Sequence, residues 1–118
     1  MLDVREYVDA SGRSPFTKWL RALNVQAAAK VATALERIAD GNLSNVKGVG
    51  GGVLEYRVDF GPGYRIYFGR DGGRLVILLA GGTKKRQQLD VRQAQLNWED
   101  YRKRKTQEKK DGTDQRLS

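Results

Sequence analysis

At residue 53 the spacing of the apolar residues changes, and that change restricts the folds open to this chain. Before it, Val25, Ala28, Ala32, Leu35 and Ala39 recur every three or four residues, the spacing of one helical face. After it, Leu54, Tyr56, Val58 and Phe60 alternate with Glu55, Arg57 and Asp59, the period of a strand with one buried face. Helices followed by strands within 118 residues leave room for one α+β domain, long enough to bury a core without disulfide staples.

The rest of the chain fits the same plan. Residues 2–8 alternate imperfectly and predict a first strand. Ser14-Pro15 reads as an N-cap followed by a first-turn proline, with Phe16, Trp19, Leu20 and Leu23 at helical spacing. Asn24 caps a second helix, which Gly41 stops. Residues 41–52 hold five glycines and no clear period, so they read as a loop. Gly61-Pro62-Gly63 turns the first alternating segment into Tyr64-Arg-Ile-Tyr-Phe68, and Asp71-Gly-Gly73 leads into Leu75–Ala80, whose unbroken apolarity suits a central strand covered on both faces. Val91, Ala94, Trp98 and Tyr101 form the stripe of a third helix, and Trp19 and Trp98 are expected in the core. The predicted fold is α+β: a small antiparallel sheet of three or four strands, two helices after the first strand, and a C-terminal helix.

Composition then limits the chemistry. The chain has no histidine and no cysteine. Catalytic triads, imidazole or thiolate metal sites and disulfides are excluded together, which leaves Lys, Tyr, Asp and Glu for any proton transfer. No apolar run approaches the ~20 residues that cross a bilayer, and the first residues lack the basic and apolar regions of a secretory signal. A cytoplasmic protein without a membrane partner is expected. Gly48, Gly50, Gly51 and Gly52 match neither common phosphate-loop pattern. Glu55, Asp59 and Asp71 are interleaved with arginines, an arrangement that favours ion pairs over a cation site, so neither a metal nor a cofactor is expected.

Charge points to a polyanionic partner, with 22 Lys and Arg against 14 Asp and Glu for a net of +8. Residues 102–118 alone hold seven cations against three acids, half of the excess. If the hairpin pairs Phe60 with Tyr64, Asp59 faces Arg65 and Arg57 faces Tyr67 on the side opposite the core. Glu55, Arg57, Asp59, Arg65 and Tyr67 then share one solvated patch, with Lys84 and Lys85 at its edge. Two readings stay open for it. Arginines and a tyrosine suit a phosphate and a stacked base, while Arg57 with Glu55 and Arg65 with Asp59 also make ordinary surface ion pairs.

Leu54-Glu-Tyr-Arg57, Gly61-Pro-Gly-Tyr-Arg65-Ile-Tyr-Phe68 and Leu78-Leu-Ala-Gly-Gly82-Thr-Lys84, followed by Gln87 and Asp90-Val91, resemble the addiction-module killer proteins of the RelE/ParE toxin superfamily. The resemblance covers residues 1–101, read as one RelE-like toxin domain, and leaves 102–118 as a basic, disordered tail. Its RelE- and HigB-like members imply a type II toxin that cleaves messenger RNA without a metal, commonly on the ribosome, and that a cognate antitoxin holds inactive. On that resemblance Arg57 and Arg65 contact the phosphate, Lys84 assists, and Tyr67 stacks or transfers a proton. Lys85, Arg86, Gln87 and Glu55 are expected on the RNA-binding surface, where Glu55, made a weaker base by Arg57, orients that arginine. Many relatives carry Gly-Gly-Asp-Lys-Ser-Ser-Gln where this chain has Gly81-Gly-Thr-Lys-Lys-Arg-Gln87. The superfamily also contains ParE-like inhibitors of DNA gyrase, and a non-catalytic RNA- or protein-binding module would use the same face.

The implied chemistry is modest. A 2′-hydroxyl attacks the adjacent phosphorus, so the protein need only accept a proton, stabilise the added negative charge and help the 5′-oxygen leave. A surrounding group of cations lowers the pKa of a phenol, which makes Tyr67 a candidate for proton transfer beside Lys84. Both arginines are expected on the solvent face, so that Arg65→Ala removes activity and leaves the fold intact.

Overall fold

The two N-terminal helices begin where capping side chains supply acceptors. Ser14 Oγ accepts from the Thr17 amide ahead of α1, Pro15–Arg21, and Asn24 Oδ1 accepts at 2.8 Å from the Ala27 amide ahead of α2, Val25–Ala39. Gly41 takes the left-handed conformation, φ +80°, just past the end of α2. The computed structural model describes residues 1–117, with side chains for residues 1–109.

Five strands form one sheet: β1 (Asp3–Glu6), β2 (Val46–Gly48), β3 (Leu54–Val58), β4 (Tyr64–Asp71) and β5 (Leu75–Thr83), in the order β1-β5-β4-β3-β2. The α+β class and helix order are as predicted, and the sheet has five strands where three or four were expected, the unforeseen one being β2. β1 runs parallel to β5, while the other neighbours are antiparallel. β2 lies inside the segment read as a loop. Three residues next to Gly48 give no period to recognise. A 3-10 turn, Lys84–Arg86, then leads into α3, Gln87–Leu117.

The sheet is the middle layer of the domain. On one side, α1 and α2 cover Tyr56, Val58, Ile66, Phe68, Val76 and Leu78 with Phe16, Val31 and Ile38. On the other, α3 lays Ala94 and Trp98 over Val53, Tyr67, Ile77 and Leu79. β5 is therefore buried on both faces, as its continuous apolar run predicts. Trp98 is buried and Trp19 packs against the first core while staying partly exposed. Each indole lies over a glycine: a Cβ on Gly81 would come within 2.0 Å of the Trp19 ring, and one on Gly69 within 2.5 Å of Trp98.

Between Tyr67 and Phe68 the β4–β5 register shifts, so that Leu79 and Ala80 both turn toward α3. Buried Asn97 of α3 donates from Nδ2 to the Leu79 carbonyl at 2.9 Å, giving a partner to a group at the irregularity.

α3 continues through the segment assigned to a disordered tail, and only Ser118 of that segment lies outside the described residues. Side chains hold its middle turns to the sheet. Tyr101 donates to Asp71 at 2.6 Å, Lys105 pairs with the same carboxylate, and Arg104 bridges Asp100 and the Val8 carbonyl. The pair Glu99–Lys103 adds i,i+4 support on the exposed side.

Candidate functional site

The hairpin register differs from the predicted one. The turn spans five residues, 59–63, because Gly61 and Gly63 adopt positive φ around Pro62 and the last pair is Val58 with Tyr64. Arg57 therefore faces Arg65, and Glu55 faces Tyr67. Asp59 is left exposed in the turn, away from the expected pairing with Arg65. The shift is an even number of residues, so the side of the sheet to which each side chain belongs is unchanged.

What covers that side is the larger correction. α3 seals most of it, and Glu55 and Tyr67 have no exposed surface while Arg65 keeps 5%. Arg65 is thus not on the solvent face. Arg57 is half exposed, as is Lys47, which β2 brings in from the segment read as a loop.

Glu55 is the centre of the arrangement. Its Oε1 lies 3.6 Å from Arg57 Nε, 3.6 Å from Arg65 Nε and 3.8 Å from Lys47 Nζ, and its Oε2 accepts from Gln87 Nε2 at 2.8 Å. A carboxylate buried this completely needs compensation, and three cations from three strands supply it. Arg65 Nη1 donates to the Tyr64 carbonyl at 3.3 Å. The same Nη1 lies against Gly63, whose added Cβ would meet it at 3.3 Å and Lys84 Cβ at 3.6 Å. Lys84 is fixed there by its amide, which donates to the Gly63 carbonyl at 2.9 Å.

A second acid, partly buried, adjoins the cluster. A Cβ on Gly82, the partner of Arg65 in β5, would fall 1.8 Å from Asp90 Oδ2, so the glycine makes room for the carboxyl. Burial pushes the Asp90 pKa up, against the opposing charge of Arg86. Burial, then the negative charges of Glu55 and Asp90, push the Tyr67 phenol above its ordinary value while Arg65 pulls it down. The expected lowering of the Tyr67 pKa is thereby reversed, because desolvation and two acids outweigh one cation. Glu55 Oε1, Arg65 Nε, the Tyr67 hydroxyl and Asp90 Oδ2 are all buried without a hydrogen bond.

The fold therefore brings together Glu55, Arg57, Arg65, Tyr67 and Gln87, with Lys84 alongside. Lys85 and Arg86 stand exposed on the 3-10 turn, outside the contacts to Glu55. Sequence reasoning missed Lys47 and Asp90 as members. No sequence signal marks Lys47, whereas the Gly81-Gly82 pair hints that something large lies over the end of β5. Among the described residues no group of three acids is placed to hold a metal ion. A groove of about 820 Å³ runs between Gly51 and α3 along Gln95, Trp98 and Arg102, and no residue of the Glu55 cluster lines it.

The profile of the family described as Phage derived protein Gp49-like (DUF891) matches residues 18–101, more than half of the chain. The chain belongs to this Gp49-like family. Every member of the Glu55 cluster falls within the match, as do α2, all strands but β1, and the first turns of α3. A Haemophilus influenzae protein, described only as an uncharacterized protein, is 44% identical over 82 residues, covering 69% of this chain and 83% of the relative. No helix among the described residues is long and apolar enough to cross a membrane.

Proposed function

We propose that this Gp49-like protein is the toxin of a type II toxin–antitoxin pair and acts in the cytoplasm as a metal-independent endoribonuclease on ribosome-bound messenger RNA. The observation that carries the reading is the Glu55 cluster. One buried carboxylate holds three cations, of which Arg57 and Lys47 open to water while Arg65 backs them from inside. Family membership and the motifs resembling RelE and HigB toxins support the same conclusion.

On this reading the residues have different tasks, and their burial supports the division. Arg57 meets the nonbridging phosphate oxygens, because it is the arginine of the pair that reaches solvent. Arg65, Tyr67 and Gln87 act on Glu55 and through it hold Arg57 in place. Exposed Lys84, beside Arg65, is the residue for proton transfer to the leaving 5′-oxygen, with Lys85 and Arg86 adding attraction for the strand. Tyr67 keeps its proton at neutral pH and is buried, so it is no general base. The nucleophile is the 2′-hydroxyl of the RNA itself: its oxygen bonds the phosphorus as the P–O5′ bond breaks, its proton passes to solvent water, Lys84 protonates the departing 5′-oxygen, and a ribosome that positions the message supplies much of the remaining rate. A cognate antitoxin with an acidic segment fits a cluster whose water-facing members are cations.

Primer extension on total RNA after brief induction tests the proposal. Discrete new 5′ ends in messages are expected. Intact messages accompanied by DNA damage would make this a gyrase inhibitor, and intact messages without damage would make it a binding module.

A further inference from the structure

A second cationic surface begins where the Glu55 cluster ends. β2 pairs with β3 only as far as Tyr56, so the segment Arg57–Asp59 borders an open groove of about 250 Å³ against α2. Lys30, Thr33 and Arg37 of α2 line it at positions i, i+3 and i+7, which puts its two cations about 10 Å apart along the helix. Arg57 forms the opposite wall and Asn45 stands beside it, with Asp59 the one acid. Lys30 and Arg37 make no ion pair among the described residues, and Lys30 Nζ rests 5.6 Å from the centre of the Phe60 ring. The apolar floor, Ala34, Tyr56 and Val58, is buried.

Cations and neutral donors over a floor with no protruding apolar side chain suit a phosphate backbone. A peptide helix needs apolar anchors that this groove lacks. We propose that the α2–β3 groove holds the backbone of a single RNA strand as it passes the Glu55 cluster, with Lys30 and Arg37 each meeting a phosphate and Arg57, whose guanidinium lies with Glu55 on the other sheet face, marking the edge where the strand crosses to the cluster. The proposal rests on the RNA reading above. It makes α2 part of the substrate surface, and it explains why the edge strand is short: a longer β2 would close the groove.

The test is fluorescence anisotropy of the full chain with a labelled single-stranded oligoribonucleotide over a series of salt concentrations. Lys30→Ala/Arg37→Ala is compared with Arg13→Ala/Lys18→Ala, a control pair of exposed cations outside the groove that removes the same charge. Loss of two phosphate contacts lowers the magnitude of the slope of log K against log salt by about 1.4, and the control pair leaves it unchanged. Single Lys30→Gln and Arg37→Gln variants each take about half of that, which covers the case of a misfolded double variant. A groove variant with the wild-type slope and intact cleavage overturns the groove while the nuclease reading stands. A wild-type chain that binds no RNA overturns both, and a groove variant that loses only an acidic peptide reassigns the groove to a protein partner.

Discussion

Glu55 has no exposed surface, yet three cations and an amide converge on it. Removing it by Glu55→Ala leaves Arg65 buried without its counterion, and breaking a buried pair from one side costs about 3–5 kcal/mol. Urea denaturation should register that loss, with Glu55→Gln retaining part of the stability. Asp90 predicts the opposite sign. Its pKa is raised in the folded chain, so the native state resists its ionisation and stability falls as pH climbs through the ordinary carboxylate range. Asp90→Asn should therefore hold or raise the melting temperature at neutral pH and flatten its decline above about pH 4. At this scale the alternation of Leu54–Phe60 made the sharing of one sheet face by Glu55, Arg57, Arg65 and Tyr67 legible. Their burial was not legible, since a polar strand face looks the same whether water or a helix covers it.

α3 contributes more to the site than its apolar stripe announces. Its first turn supplies Gln87 and Asp90, its middle packs Trp98 on Gly69, and Asn97 satisfies the Leu79 carbonyl at the register shift. Gly69→Ala drives a methyl into the indole and should cost about 1–3 kcal/mol by overpacking. Asn97→Ala leaves a carbonyl unpaired and should cost a similar amount, about 1–3 kcal/mol, both read from urea midpoints. Further along, Tyr7 bonds Asp100 and Tyr101 bonds Asp71, and burial reinforced by those acids lifts each phenol to about 12. Unfolded tyrosines release protons near pH 10 while these two keep theirs, so stability should fall as pH rises from about 10 toward 12. Tyr7→Phe and Tyr101→Phe should each make that fall shallower in chemical denaturation at alkaline pH. The stripe Val91, Ala94, Trp98, Tyr101 revealed this helix in the sequence, but its continuation was hidden. Residues 102–109 carry no apolar period, and their helix rests on strong intrinsic formers, on the local pair Asp100–Arg104 and on the pair Asp71–Lys105, which only the fold brings into reach.

For the whole molecule, a sheet between two helical layers turns a polar strand face into an interior one and leaves its cations emerging at the rim. A +8 chain built this way has a fixed carboxylate inside and exposed cations at its rim, the arrangement on which the proposed action on a phosphodiester relies in a chain without histidine or cysteine. The two-layer arrangement of helices after a first strand was readable from the order of periods. The continuous apolar run of Leu75–Ala80 announced cover on both faces of its strand, but that α3 supplies the second cover followed only from the fold. The direct test is the rate at which wild type and Arg57→Ala cut a labelled message on translating ribosomes. Loss of one charge-stabilising donor should slow cleavage by about 10²–10³ with the melting temperature within a few degrees of wild type. Cleavage by Arg57→Ala at the wild-type rate would contradict the account.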